Sequence, residues 1–177
     1  MKPLPVPSAP FIAKTALFLA LAVLLPIVVH AFGNTMGRVL LPMHIPVLLA
    51  GFLVGPFSGL VVGVLAPGLS HVIAGSGLPP VDKIAPMALE LVMYGFVAGI
   101  TYRRLRMNIY VSLVVAMIVG RLMFGVGQLV RGLMAGLSFG DAQFLSWGAM
   151  AAGLPGIMLQ LVLIPILVAG IRRKKRP

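Results

Sequence analysis

Five apolar runs, parted by short segments rich in glycine, proline or arginine, constrain this chain more than any other feature. They cover Phe11–Phe32, His44–Ala74, Met87–Tyr102, Ile109–Leu137 and Phe144–Ile171. A helix that crosses a bilayer needs about 20 predominantly apolar residues, and runs of this order are what the chain supplies. A soluble domain is about 25% charged and about 45–50% apolar. Here only 10% of the residues are charged and 60% are apolar. A single small domain cannot hide so much hydrocarbon in its own core, because much of its surface stays wet. Most of the chain is therefore expected to be solvated by lipid. The first run reads as a spanning helix and not as a cleaved leader, since it is long, holds Pro26 and lacks a small-residue cleavage site. The chain has no cysteine, which excludes a disulfide scaffold, a thiolate metal site and a cysteine nucleophile.

The run His44–Ala74 decides the number of helices. As one helix it would be about 46 Å long at ~1.5 Å per residue, too long for a hydrocarbon core of ~30 Å. Pro56 argues for a break after Gly55. Split there, His44–Gly55 is a helix of only about 18 Å, which must be shielded by protein or flanked by buried loop. The formal net charge is +11. In a soluble chain this would suggest nucleic acid, but here the basic residues sit at the ends of apolar runs, which sets topology. With six segments and an inner amino terminus, Lys2, Lys14, Arg103, Arg104, Arg106 and the tail Arg172–Arg176 share the inner side. Arg38, Lys83 and Arg131 fall outside. With five segments, Lys2 and Lys14 oppose both other clusters. The expected fold is one all-α membrane domain over 1–177, with both termini cytoplasmic and helices near 11–32, 44–55, 57–74, 84–102, 109–137 and 144–171. Gly51, Gly55, Gly59 and Gly63, at four-residue steps, predict close packing of the second and third helices.

Ionisable side chains inside the membrane are costly and mark candidate sites. Glu90 lies nearly two turns into the fourth helix and Arg121 near the middle of the fifth. Their depths from the outer surface are about 9 Å and about 15–20 Å by helical rise, so they can pair across neighbouring helices. The pair is either structural or turned to a solute. Other polar groups gather at the outer level. His30 and Asn34 end the first helix, Arg38 and His44 border the first outer loop, and His71 closes the third helix. Tyr94 is one turn below Glu90, Gln128 shares a face with Arg121, and Trp147 begins the sixth helix. The candidate solute site is therefore Asn34, Arg38, His44, His71, Glu90, Tyr94, Arg121, Gln128 and Trp147, under loops 33–43 and 75–86. The histidines and Trp147 also suit a membrane interface. No two histidines stand at a close ligand spacing, so no metal site is expected. On the inner half of the first helix, Ala13, Ala16 and Ala20 form a small-residue face that admits another helix, inside the bundle or from a partner.

Catalytic signatures are missing. There is no G-x-x-x-x-G-K-[ST] and no H-E-x-x-H. The match to G-x-S-x-G at Gly136, Ser138 and Gly140 falls at a helix end, where a hydrolase elbow needs a strand-to-helix turn. Three acids cannot supply a carboxylate cluster. No enzyme activity and no cofactor are expected.

The stretch Leu41–Gly63 resembles the second and third helices of the substrate-binding S components of energy-coupling factor (ECF) vitamin transporters. Ala16-Leu-Phe-Leu-Ala20 is similar to their A-x-x-x-A motif, and Pro86–Gly95 to the start of their fourth helix. The resemblance implies six helices and an outward pocket closed by the loops at 33–43 and 75–86. It implies a transmembrane T component and two cytoplasmic ATP-binding-cassette ATPases as partners, with Ala13, Ala16 and Ala20 facing the T component. It also implies residence in the cytoplasmic membrane of a prokaryote. The chain opens Met1-Lys2 and lacks the Met-His hook of nickel and cobalt members, so those metals are not expected. The expected function is capture of a small water-soluble vitamin. Arg121 favours a carboxylate or phosphate and Glu90 a donor group, so the cargo expected is a pantothenate-like B vitamin. The other readings are a stand-alone carrier or channel and a membrane scaffold without ligand.

Overall fold

A computed structural model describes residues 8–31, 40–74 and 81–173. Among these residues every regular element is a helix and there is no strand. The helices are α1 (Ala9–Ala31), α2 (His44–Leu53), α3 (Pro56–Ala74), α4 (Val81–Gly99), α5 (Ile109–Met134), α6 (Phe139–Ala152) and α7 (Leu154–Arg173). A π-turn, Ile100–Arg104, extends α4. Five helical stretches are long and apolar enough to cross a membrane: Ala9–Ala31, Pro56–Ile73, Asp82–Arg104, Ile109–Met134 and Leu154–Ile171. Only 28–44% of each stretch is buried inside the chain. Ile12, Leu24, Val64, Ile118 and Val162 stand exposed, as side chains solvated by lipid do. The chain is an all-α, multi-pass membrane protein.

The break between α2 and α3 falls where proline and glycine place it. Pro56 opens α3, where its missing N–H costs nothing. Gly55 has φ +143°, a conformation that glycine adopts without steric penalty. The ten-residue α2 is too short to span by itself, without flanking backbone, and is shielded on several sides. It packs on α1, α3, α4 and α7, and Pro42, Met43 and His44 before and at its start are buried. Non-helical backbone at membrane depth is tolerated in this protein-buried setting. Arg103 donates to the carbonyls of Leu53 (3.2 Å) and Val54, satisfying the carboxyl end of α2.

Helix α4 is the centre of the bundle and packs against α2, α3 and α5. The glycines predicted to let the second and third helices pack closely do so against α4: Gly51, Gly59 and Gly63 all meet its backbone. A Cβ on Gly59 would lie 2.5 Å from the Gly95 carbonyl carbon, and one on Gly63 2.6 Å from the Val92 nitrogen. Gly51 likewise abuts Gly95. These contacts fix the helix directions: α3 and α5 run antiparallel to α4, and α2 runs with it. The core between them is Val47, Leu48, Phe52, Val62, Leu91 and Leu113.

Two elements differ from the expected ones. Helix α4 begins at Val81, three residues before the expected start at 84, and takes in part of the segment 75–86 expected as a loop. Asp82 in its first turn favours the amino end, and Pro86 is gripped by Gly127 of α5, where a Cβ would lie 2.9 Å from the proline Cα. The run expected as one helix over 144–171 is two, α6 and α7, broken at Gly153. Pro155 disfavours a continuous helix through this point, and α6 folds back along α5, with Ser146 Oγ donating to the Gly125 carbonyl at 2.8 Å.

Candidate ligand-binding site

The break at Gly153 and the start of α2 meet Glu90 and Arg121 at one depth. Glu90 is buried on α4, with 2% of its surface exposed, and His44 at the start of α2 shows 1%. Glu90 Oε2 lies 3.4 Å from His44 Nε2, and Glu90 Oε1 lies 3.2 Å from Arg121 Nη1. One carboxylate thus stands between two bases from different helices. Because His44 is the first residue of α2, the carboxylate also sits near a partly positive helix terminus. Tyr94 is fully buried one turn further along α4, with its ring edge-on to His44 at 5.1 Å.

Two glycines make room for this cluster. A Cβ on Gly120 would lie 2.5 Å from the Tyr94 ring, and one on Gly153 would overlap the Arg121 guanidinium. The ring of Phe124 lies 5.8 Å from the same guanidinium, within range of cation–π attraction. The cluster is held by charge and packing, and its hydrogen bonding is incomplete. Among the described residues His44 Nδ1 and Arg121 Nε and Nη2 are buried without a hydrogen-bond partner, while His44 Nε2 and Glu90 Oε1 are held by the two ion contacts. Leaving such groups unpaired costs about 1–3 kcal/mol each, more for charged ones. This chemistry suits a small solute that presents both oxygen acceptors and N–H or O–H donors.

Of the expected site residues, the structure gathers His44, Glu90, Tyr94 and Arg121. Gln128 is buried but belongs to a second cluster nearer the Met134 end of α5. There its Oε1 accepts from Arg131 Nε at 2.7 Å, while Arg131 Nη1 reaches Asp82 Oδ2 at 2.8 Å. His71 is half-buried near the end of α3, about two turns beyond the level of Glu90 in the α3–α4 register. Trp147 does not join the cluster: it is 63% exposed on α6, a placement suited to a membrane interface. His30, at the end of α1, contacts the Pro26 carbonyl at 2.8 Å. Asn34 and Arg38 lie outside the described residues, as do parts of both expected roof loops. Among the described residues no group of three or more His, Cys, Asp or Glu side chains is placed to hold a metal ion.

The sequence reading missed Gln160. It is fully buried on α7, and its Nε2 reaches the Leu41 carbonyl at 3.5 Å, tying α7 to the segment before α2. Its signal was visible as the lone glutamine inside an apolar helix. Ala13, Ala16 and Ala20 are exposed on α1, whereas Thr15, Phe18, Ala22 and Val23 face the bundle. Thr15 Oγ1 bonds Ser58 Oγ of α3 at 2.9 Å.

A multi-pass helical bundle with a buried, incompletely paired polar cluster and no catalytic motif has the build of a membrane solute-binding protein. The chain belongs to the substrate-specific components of ECF transporters, whose family model matches residues 11–168. No curated protein matches the chain. No solved structure matches it. Membership makes it a substrate-binding subunit of a transporter and places it in a family that is not one of enzymes. The family implies a small-molecule substrate and association with a T component and ATPases.

Proposed function

We propose that this chain captures a small anionic micronutrient from outside the cell and delivers it inward with a T component and two ATP-binding-cassette ATPases. The reading rests on the cluster of His44, Glu90 and Arg121. An intramembrane charge costs about 2.5–3.5 kcal/mol even on lenient scales, and a buried ion pair is often no better than an apolar replacement. Stability alone therefore explains the cluster poorly, and binding explains it well. The guanidinium fork of Arg121 suits a carboxylate or phosphate, and Glu90 takes a donor from the same molecule. A pantothenate-like B vitamin carries both groups.

In this reading the chain makes six passes in the cytoplasmic membrane of a prokaryote, with both termini inside. The shielded α2 makes the second pass, and α6 with α7 forms the sixth, a single pass broken at Gly153. The alternating helix directions support this count. Asn34, Arg38 and His71 serve the outer mouth of the site, and the exposed Ala13, Ala16 and Ala20 meet the T component.

The test is reconstitution in liposomes with a T component and two ATPases, followed by ATP-dependent uptake of a labelled panel of B vitamins, pantothenate first. Uptake of one member that requires ATP and Arg121 supports the proposal. Equal uptake without ATP would instead make the chain a stand-alone carrier.

A further inference from the structure

The turn between α4 and α5 carries Arg103, Arg104 and Arg106 with no acid to meet them. The chain has only three acidic residues, and each is engaged elsewhere: Glu90 with His44 and Arg121, Asp82 with Arg131, and Asp141 with Ser138. Arg103 gives its guanidinium to the Leu53 and Val54 carbonyls. Arg104 and Arg106 are exposed, and among the described residues no carboxylate pairs with either. The backbone that presents them is fixed. The Leu105 N–H donates to the Ile100 carbonyl and the Met107 N–H to the Thr101 carbonyl, both at 3.0 Å. Arg106 is held at φ +53°, in the left-handed region where glycine is free and an L side chain is strained. Glycine would close this turn with less strain, yet an arginine stands there.

We infer that Arg104 and Arg106 hold the headgroup phosphate of an anionic phospholipid at the membrane surface. The turn sits at the membrane boundary: the apolar stretch Asp82–Arg104 ends on it, and the stretch Ile109–Met134 begins three residues after Arg106. Only Leu105–Asn108 separate the two helical segments, so the arginines stay at headgroup level. Leu105 and Tyr110, beside them, are exposed, an aliphatic and an aromatic flank suited to the interface. The partly positive amino end of α5 lies next to the pair and adds to its pull on an anion. Guanidinium forks match phosphate oxygens bidentately. A charge that only sets topology acts during insertion and needs no fixed turn, whereas a headgroup site does. This contact is separate from the solute site and does not depend on it.

The experiment places the full chain in nanodiscs of equal phosphatidylglycerol and phosphatidylcholine and counts the lipids it retains by native mass spectrometry. The wild type should retain phosphatidylglycerol in excess, and the excess should shrink when the discs are equilibrated at high salt. Each arginine near an anionic surface contributes about fivefold. Arg104→Gln combined with Arg106→Gln should therefore lower the excess by about tenfold or more, and Arg106→Lys should keep most of it. Arg106→Gly separates the site from the fold: the turn relaxes, so the thermal melt should hold or rise, while the excess falls by about fivefold. Equal retention of the two lipids by the wild type would overturn the inference. So would an undiminished excess in Arg106→Gly, which would show that the turn and not the charge selects the lipid. If the double variant keeps the excess but no longer co-purifies with a T component and ATPases, the patch serves an acidic protein surface and the inference is refuted.

Discussion

Gly95 and Gly148 are both helical glycines, yet their surroundings set opposite expectations. A Cβ on Gly95 would lie 2.6 Å from the Gly59 backbone, which cannot rotate away. Gly95→Ala therefore forces α3 and α4 apart, and overpacking of this kind costs about 1–3 kcal/mol. A Cβ on Gly148 meets nothing within 4 Å. Gly148→Ala should be neutral or stabilise by up to roughly 1 kcal/mol, because glycine loses the most backbone entropy on folding. Thermal melts of the two variants in detergent check the contrast, and equal melts would refute the packing account. At this scale the sequence revealed Glu90 and Arg121 readily, since a charge in an apolar run stands out. The approach of His44 to Glu90 was not legible, because it depends on how deep α2 begins. Arg103 read only as a topogenic charge, since its reach to the Leu53 and Val54 carbonyls is made by the fold.

The exposed alanine face of α1 yields a prediction for an element. Replacing Ala16 and Ala20 with leucine adds bulk on a face that is exposed among the described residues, so the melt of the isolated protein should hold. Close approach of a partner helix needs small residues, so co-purification with the T component should fall. A large loss of melt temperature with intact assembly would place this face in the fold and not at the interface. The helices themselves were largely legible. The proline and glycine at positions 55 and 56 marked the α2–α3 break, and the capping Asn108, whose side chain accepts from the Tyr110 N–H at 3.0 Å, precedes α5 where the apolar run begins. The second break, at Gly153, was hidden because Gly and Pro recur throughout this chain. Pro155 weakens the helix here, but Pro26, Pro67 and Pro165 lie inside continuous helices, so a proline alone does not mark a break.

For the whole molecule, the absence of cysteine makes topology directly measurable. Six passes put Ser8 and Asp141 on opposite sides of the membrane, and five passes put them on the same side. Ser8→Cys should react with a membrane-impermeant maleimide only after the cells are opened, and Asp141→Cys in intact cells. Labelling of both from outside would contradict the six-pass reading.

In the proposed function a solute binds at the His44–Glu90–Arg121 cluster. Native mass spectrometry of the protein extracted from expressing cells tests it most directly, with Arg121→Met measured beside the wild type. Removing one partner of a buried charge pair costs about 2–5 kcal/mol of binding. The account predicts a small-molecule adduct on the wild type that is absent from Arg121→Met, while both proteins melt cooperatively. The same adduct on both proteins, or a variant that loses its fold and not specifically its ligand, would show that the charges serve structure and contradict the site.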